Sequence, residues 1–255
     1  VLHLASDLKN FKLRAKDGDI GKVMEFHFDD RFWTVRYLVA DTGGWLRGRQ
    51  VLISPYALIA PNEAEQVIPV HLTKTQIEES PSLASDQPVS HQYETKYNSF
   101  YGWPNYRYGT YAWGDSPYIA LDPNARKETA RREKAWDHSL RSSKGVTGYR
   151  IEALDGEIGH IDDFVIDDEN WSIRYLVVDT KNWWAGKRVL ISPQWIDRVS
   201  WKESKVFANL SQEAIKQSPE FIAENPTRDY ESALHKHYVR DAYWANSTGA
   251  KPPSS

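Results

Sequence analysis

The chain has 255 residues, a hydrophobic fraction of 40%, a charged fraction of 26% and a formal net charge of −3; these are globular values, with room for two small domains or one larger one. A charge this near neutral gives no general attraction to nucleic acid or an acidic membrane surface, and no apolar run reaches the roughly 20 residues that a transmembrane helix needs. Zero Cys excludes disulfides, thiolate metal sites and a cysteine nucleophile, and fits a reducing compartment, so a cytoplasmic protein is expected.

Val1 to Leu8 lacks the basic-then-apolar order of a secretory signal, and without an initiator Met a preceding segment is left open. In chain order, Asp17-Gly18 is the first turn signal, because Gly accepts positive φ. Ile20–Phe28 reads as a strand, Asp29-Asp30-Arg31-Phe32 as a polar turn and Trp33–Asp41 as a β-branched and aromatic strand. In the last of these, Trp33, Val35, Tyr37 and Val39 point one way and Leu38 and Ala40 the other. Both faces are largely apolar, so the strand must be covered twice: by its own core, and by a helix, a second copy or another chain. A loop around Trp45-Leu46-Arg47-Gly48 leads to a strand ending at Ser54-Pro55. A fifth strand falls near Gln66–His71, and Thr73-x-x-Gln76 supplies a capping box for a short helix. From Tyr93 to Tyr118 runs a connector holding Tyr97, Phe100, Tyr101, Trp103, Tyr106, Tyr108, Tyr111 and Trp113, too aromatic for a solvated linker. Asp122-Pro123 then opens a helix over Asn124–Leu140, whose mixed charges read as a solvated face.

The first pattern returns 138 residues later. Asp17-Gly18-Asp19-Ile20-Gly21 recurs as Asp155-Gly156-Glu157-Ile158-Gly159, and Trp33-Thr34-Val35-Arg36-Tyr37-Leu38-Val39 as Trp171-Ser172-Ile173-Arg174-Tyr175-Leu176-Val177. Val51-Leu52-Ile53-Ser54-Pro55 recurs as Val189-Leu190-Ile191-Ser192-Pro193, and Ser80-Pro81 as Ser218-Pro219. Two copies at so long a period mean duplicated domains, not a solenoid. Five or so short strands in some 60 residues suit a small closed or partly open barrel. Lys205–Ala208 is the fifth strand of the second copy, and Ser211 caps its short helix.

These motifs resemble the PRC-barrel family, whose fold is shared by the cytoplasmic part of the H subunit of bacterial photosynthetic reaction centres and the C-terminal domain of a 16S rRNA maturation factor. Tyr230-Glu231, His237-Tyr238 and Tyr243-Trp244 also resemble the tail of stand-alone bacterial members, matched in the first copy only through Tyr93-Glu94 and Tyr101. The resemblance implies a mainly β chain with two small PRC-type β-barrels in tandem, short helices and aromatic-rich connecting segments. Its expected organisation is a first barrel at 1–81, connector and helix at 82–139, a second barrel at 140–219 and a C-terminal helix and tail at 220–255. It implies assembly with proteins or ribonucleoproteins and no shared catalytic centre.

Signatures of catalysis are missing: there is no G-x-G-x-x-G, P-loop, H-E-x-x-H or G-x-S-x-G. Ser6-x-x-Lys9 lacks the companion elements of a β-lactamase site and reads as a polar turn. The strongest metal candidate is His160 with Asp162, two apart on a strand and near Asp163, Asp167, Asp168 and Glu169, donors suited to a hard or borderline divalent ion. Lys22 and Met24 replace the pair in the first copy, so the segment reads as a solvated acidic strand, and no metal or cofactor is expected. His235 and His237 diverge on a helix and do not ligate jointly. Asp29-Asp30 and Asp167-Asp168 fall at hairpin turns, where Asp bonds local backbone. Arg36 and Arg174 lie mid-strand on apolar faces, where an unpaired charge is costly; structural ion pairs are expected, inside the unit or across an interface.

The function expected is that of a non-enzymatic scaffold or assembly module, with contacts from Trp45, Trp103, Trp113, Trp183, Trp184, Tyr238 and Trp244, since Trp and Tyr dominate interface hot spots. Its partner is a protein, itself included as a pseudo-two-fold barrel pair or homo-oligomer. The alternatives are a ribosome-associated RNA-processing factor, against which the charge argues, and a peripheral subunit of a photosynthetic or other membrane electron-transfer complex.

Overall fold

The computed structural model describes residues 1–47, 49–84, 89–103, 140–180, 187–222 and 226–245. The chain is mainly β. It divides into two compact units, Val1–Thr147 with Asp163–Tyr175 and Gly148–Asp162 with Leu176–Ser255.

In chain order the elements are β1 (Leu2–Leu4), α1 (Ala5–Leu8), β2 (Lys12–Ala15), β3 (Gly18–Asp29), β4 (Thr34–Asp41), β5 (Arg49–Ile53), a 3-10 turn at Pro55–Ala57, β6 (Val67–Pro69), α2 (Lys74–Glu78), β7 (Leu83–Ala84) and α3 (His91–Tyr101). There follow β8 (Arg141–Ser142), α4 (Ser143–Val146), β9 (Arg150–Ala153), β10 (Gly156–Asp167), β11 (Ser172–Asp179) and β12 (Arg188–Ile191). A 3-10 turn at Pro193–Trp195, β13 (Ile196–Ser200), β14 (Lys205–Ala208), α5 (Gln212–Lys216) and α6 (Arg228–His237) complete the series.

In the first unit β2 turns back on β3 at Asp17-Gly18, with Gly18 at φ +142. Gly21 has φ +150, and a Cβ there would run into the Asp41 carbonyl; Gly159 meets Asp179 in the same way at φ +146. The second Gly of the repeated motif is therefore fixed by a close backbone approach. β3 pairs with β4, β4 with β5 and β5 with β7, all antiparallel, while β6 lies parallel to β2.

This sheet is not closed: among the described residues no ladder joins β6 to β5 or β7. The closed barrel contemplated from the sequence is corrected on that point, and the Ser-Pro step gives the reason. Pro55 has no N–H for a ladder, and Ser54 Oγ accepts from the Tyr56 N–H at 3.4 Å, which turns the chain out of the sheet after Ile53. It meets β6 and the residue after it through the isolated bridges Leu58↔Val70 and Asn62↔Val67, with the Ile59 N–H donating to the Pro69 carbonyl at 2.9 Å.

The second unit repeats these registers. Leu13↔Gly21 and Arg14↔Asp19 become Ile151↔Gly159 and Glu152↔Glu157, with a register shift between the two pairs each time. The parallel pair Leu13↔Ile68 becomes Ile151↔Val206, and Leu38↔Ile53 becomes Leu176↔Ile191. Here the residues after the 3-10 turn form a strand, β13, paired with β14 with a register shift between Ile196 and Arg198.

The first unit also contains the tip formed by the end of β10 and the start of β11. Leu2–Leu4 pairs with Asp167–Val165, and Ser172 lies opposite Thr34. Val35 N–H donates to the Trp171 carbonyl at 2.8 Å and Ile173 N–H to the Trp33 carbonyl at 2.7 Å. Phe26, Phe28, Val35, Leu38, Ile53 and Phe164 are buried in its core.

Candidate interaction surface

The doubly apolar strand β4 is covered by α3, whose Tyr93 and Tyr97 pack with Tyr37, Val39, Leu52, Leu83 and Val89. Ser90 caps this helix by accepting from the Tyr93 N–H at 3.3 Å, and Gly102 ends it in the left-handed conformation at φ +72. The Tyr97 hydroxyl donates to the Leu52 carbonyl at 2.7 Å and that of Tyr93 to the Pro81 carbonyl at 2.9 Å. Burial pushes both phenols above the ordinary tyrosine range.

On this base the rings become progressively less covered. Trp103 stacks on Tyr101 at 4.4 Å and 15° and on Tyr56 at 5.6 Å and 23°. Trp103 and Tyr101 are half-buried, while Phe100, edge-on to Tyr101 at 4.9 Å, is exposed. Trp45 is also half-buried, with Lys74 Nζ 4.8 Å from its ring centre.

Arg36 lies beneath, its side chain wholly buried and 3.3 Å from Asp29 Oδ2. Burial pulls its pKa down, while Asp29 and the buried Glu94 oppose the shift. The other oxygen of Asp29 accepts from the Arg31 N–H at 2.8 Å and the Phe32 N–H at 3.2 Å. In the hairpin tip Arg174 donates to Asp167 Oδ2 through Nε at 2.9 Å and a terminal nitrogen at 2.6 Å. Each arginine thus pairs with the aspartate seven residues before it.

In the second unit α6 is built like α3. Thr227 caps it by accepting from the Tyr230 N–H at 3.2 Å, and the Tyr230 hydroxyl donates to the Pro219 carbonyl at 3.1 Å. Trp195 is buried against His235 at 5.2 Å and Tyr238 at 4.8 Å. Burial of Tyr238 raises its hydroxyl to about 12. Trp244 is half-buried, with the Arg228 guanidinium 4.1 Å over its ring and His235 edge-on at 5.3 Å. Buried Glu231 accepts from the Tyr243 hydroxyl at 2.9 Å and pairs with Arg228 at 3.3 Å. Burial, with Arg228 nearby, lowers the His235 imidazole pKa.

Residues 151–214 match the family model of the PRC-barrel domain. No curated protein matches the chain. The PRC-barrel match runs from β9 into α5, so it includes Trp195 and stops short of α6 and Trp244.

Inside the PRC-barrel match, Asp162 Oδ2 pairs with Arg188 at 2.6 Å, and half-buried His160 lies opposite Arg150. Asp163 accepts from the Ser6 N–H at 3.3 Å. Among the described residues no group of three or more potential ligands could hold a metal ion. His235 Nδ1 donates to the Asp241 carbonyl at 3.0 Å and His237 Nε2 to the Ala214 carbonyl at 2.7 Å, so the two imidazoles serve different contacts. Trp113, Trp183, Trp184 and residues 124–139 of the expected helix lie outside the described residues.

Sequence reasoning missed Tyr56, Trp195, Arg228 and Tyr243 as parts of these clusters. A signal for the first two was present: each follows a Val-Leu-Ile-Ser-Pro strand by one or two residues.

Proposed function

We infer that the chain is a non-enzymatic assembly module made of two PRC-type barrels, the second holding residues 151–214 and the first its counterpart 138 residues earlier. The common registers of β2–β3 and β9–β10, and the matching tyrosine–proline clasps of α3 and α6, support the duplication. The observation that carries the binding role is the treatment of the large rings. Trp45, Trp103 and Trp244 are held half-buried by stacked or cationic neighbours, each keeping part of a large apolar ring in solvent. Rigid aromatic rings partly open to solvent suit a partner protein, because little side-chain entropy is lost when they are covered.

Affinity capture of the tagged chain from its native cells, with stepped salt elution, tests this reading. A protein partner retained through high salt is the expected result. Nucleic acid released steeply by modest salt would replace the reading with a ribonucleoprotein role.

A further inference from the structure

The first unit contains parts of both copies of the repeat, and they meet in it as equals. Val35 N–H donates to the Trp171 carbonyl at 2.8 Å, and the counterpart contact, Ile173 N–H to the Trp33 carbonyl, closes at 2.7 Å. β1 runs antiparallel to the end of β10 with Leu4↔Val165 and His3↔Ile166, and β8 runs antiparallel to the end of β3 with Ser142↔His27 and Arg141↔Phe28. Moving one member of each contact forward by 138 residues and the other back by 138 turns the first strand pair into the second. Contacts that return to themselves when the copies are interchanged are isologous, the pattern of a two-fold dimer rather than of repeats strung in series.

Each arm leaves its own copy to make this contact. β1 and α1 precede β2 of the first copy, yet Leu4 lies opposite Val165 and the Ser6 N–H donates to Asp163 Oδ2 at 3.3 Å. β8 and α4 precede β9 of the second copy, yet the Ser142 hydroxyl donates to Glu25 and Ser143 Oγ accepts from the Phe26 N–H at 3.1 Å. Phe28 of one copy and Phe164 of the other are buried with ring centres 5.8 Å apart, so parting the copies would return apolar surface to water. Backbone strain sits at the same joint. Trp33 and Trp171 hold φ of +52 and +57, a left-handed conformation that bulky residues rarely adopt, and theirs are the two carbonyls that take the opposing N–H groups. Strain held at one place in both copies points to a role for that place.

We propose that this joint is a homotypic interface and that the partner it fits is a second copy of the chain: the first repeat of one molecule exchanges arms with the second repeat of another, as the two repeats of one molecule do with each other. The covalent link between the repeats then sets only the concentration at which they meet. The proposal rests on the duplication inferred above and not on the binding role of the tryptophan rings, so its failure would leave that assignment to its own test.

Two experiments on the full chain test the joint. In the first, a specific protease sequence is inserted within residues 104–139 and cut after folding. Halves that elute together at about 10 μM, at the volume of the uncut chain, are expected; halves that separate overturn the proposal. The second exploits the absence of Cys from the chain. Ser142→Cys and His27→Cys place thiols at directly opposed strand positions, within reach of a disulfide. The double variant, with both thiols in one chain, crosslinks internally when oxidised with glutathione disulfide; if it stays reduced, the pairing itself is refuted. The two single variants are then unfolded together in urea, refolded at high or low concentration and oxidised in the same way. A tether holds its partner at an effective concentration of order millimolar, so crosslinks between the two variants rise at least about tenfold from about 5 μM to about 0.5 mM. A yield that does not rise, or that only equals what each single variant gives with itself, contradicts exchange with a second copy.

Discussion

Arg36 and Arg174 occupy one place in two copies of the same strand, and exposure sets the cost of their charges. The Arg36 side chain is wholly buried, whereas that of Arg174 is 18% exposed. Removing one anionic partner from a buried ion is costly because water cannot take its place, whereas water can replace the partner of a more open ion. Asp29→Ala is therefore expected to destabilise the chain by about 3 kcal/mol, and Asp167→Ala by clearly less; urea midpoints at neutral pH check the order. The need for ion pairs was legible in the sequence, because an arginine within an apolar strand needs an anion. That the anion is the turn aspartate seven residues earlier depends on how each hairpin twists its first residue back over the strand, which residue identity alone does not reveal.

At the scale of elements, α3 separates packing rings from rings left available. Tyr93, Tyr97 and Tyr101 recur every four residues, a helical stripe, although the sequence reading took the segment as part of an aromatic connector. The Gly and Pro residues from Gly102 onward hid the boundary, since they punctuate the same aromatic run. The strands were plainer: alternation, turn dipeptides and Ser-Pro stops are local signals, and β3, β4, β5 and β14 lie where those signals put them. Open sheet edges were less legible, because they depend on where the chain goes after Pro55 and Pro193. If the reading of α3 is right, Tyr97→Ala leaves a core cavity and costs about 3–5 kcal/mol, while Tyr101→Ala, at a half-buried site, costs less than about 1.5 kcal/mol. Thermal and urea unfolding of the two variants measure the difference. Equal losses would make the outer rings structural and remove the reason to assign them to binding.

For the whole molecule, the 138-residue repeat was the most informative reading of the sequence, because its motif residues are those with the least freedom: a Gly under a carbonyl, a β-branched strand and a Pro that ends it. The reciprocal clamping of β1 on β10 and β8 on β3 was beyond that reading. Each clamp is only two or three residues long and pairs positions more than a hundred residues apart, so no local pattern announces it. The same logic bears on function, where burial sorts the expected contact residues: Tyr238 is 8% exposed and serves packing, while Trp45, Trp103 and Trp244 keep part of their rings in solvent. Titration of the captured partner against the wild-type chain, Trp103→Ala and Trp244→Ala, each with its unfolding midpoint recorded, tests the binding role most directly. We predict at least about a tenfold loss of affinity with a small change in midpoint, as hot-spot truncation produces; unchanged affinity in both well-folded variants would contradict the account.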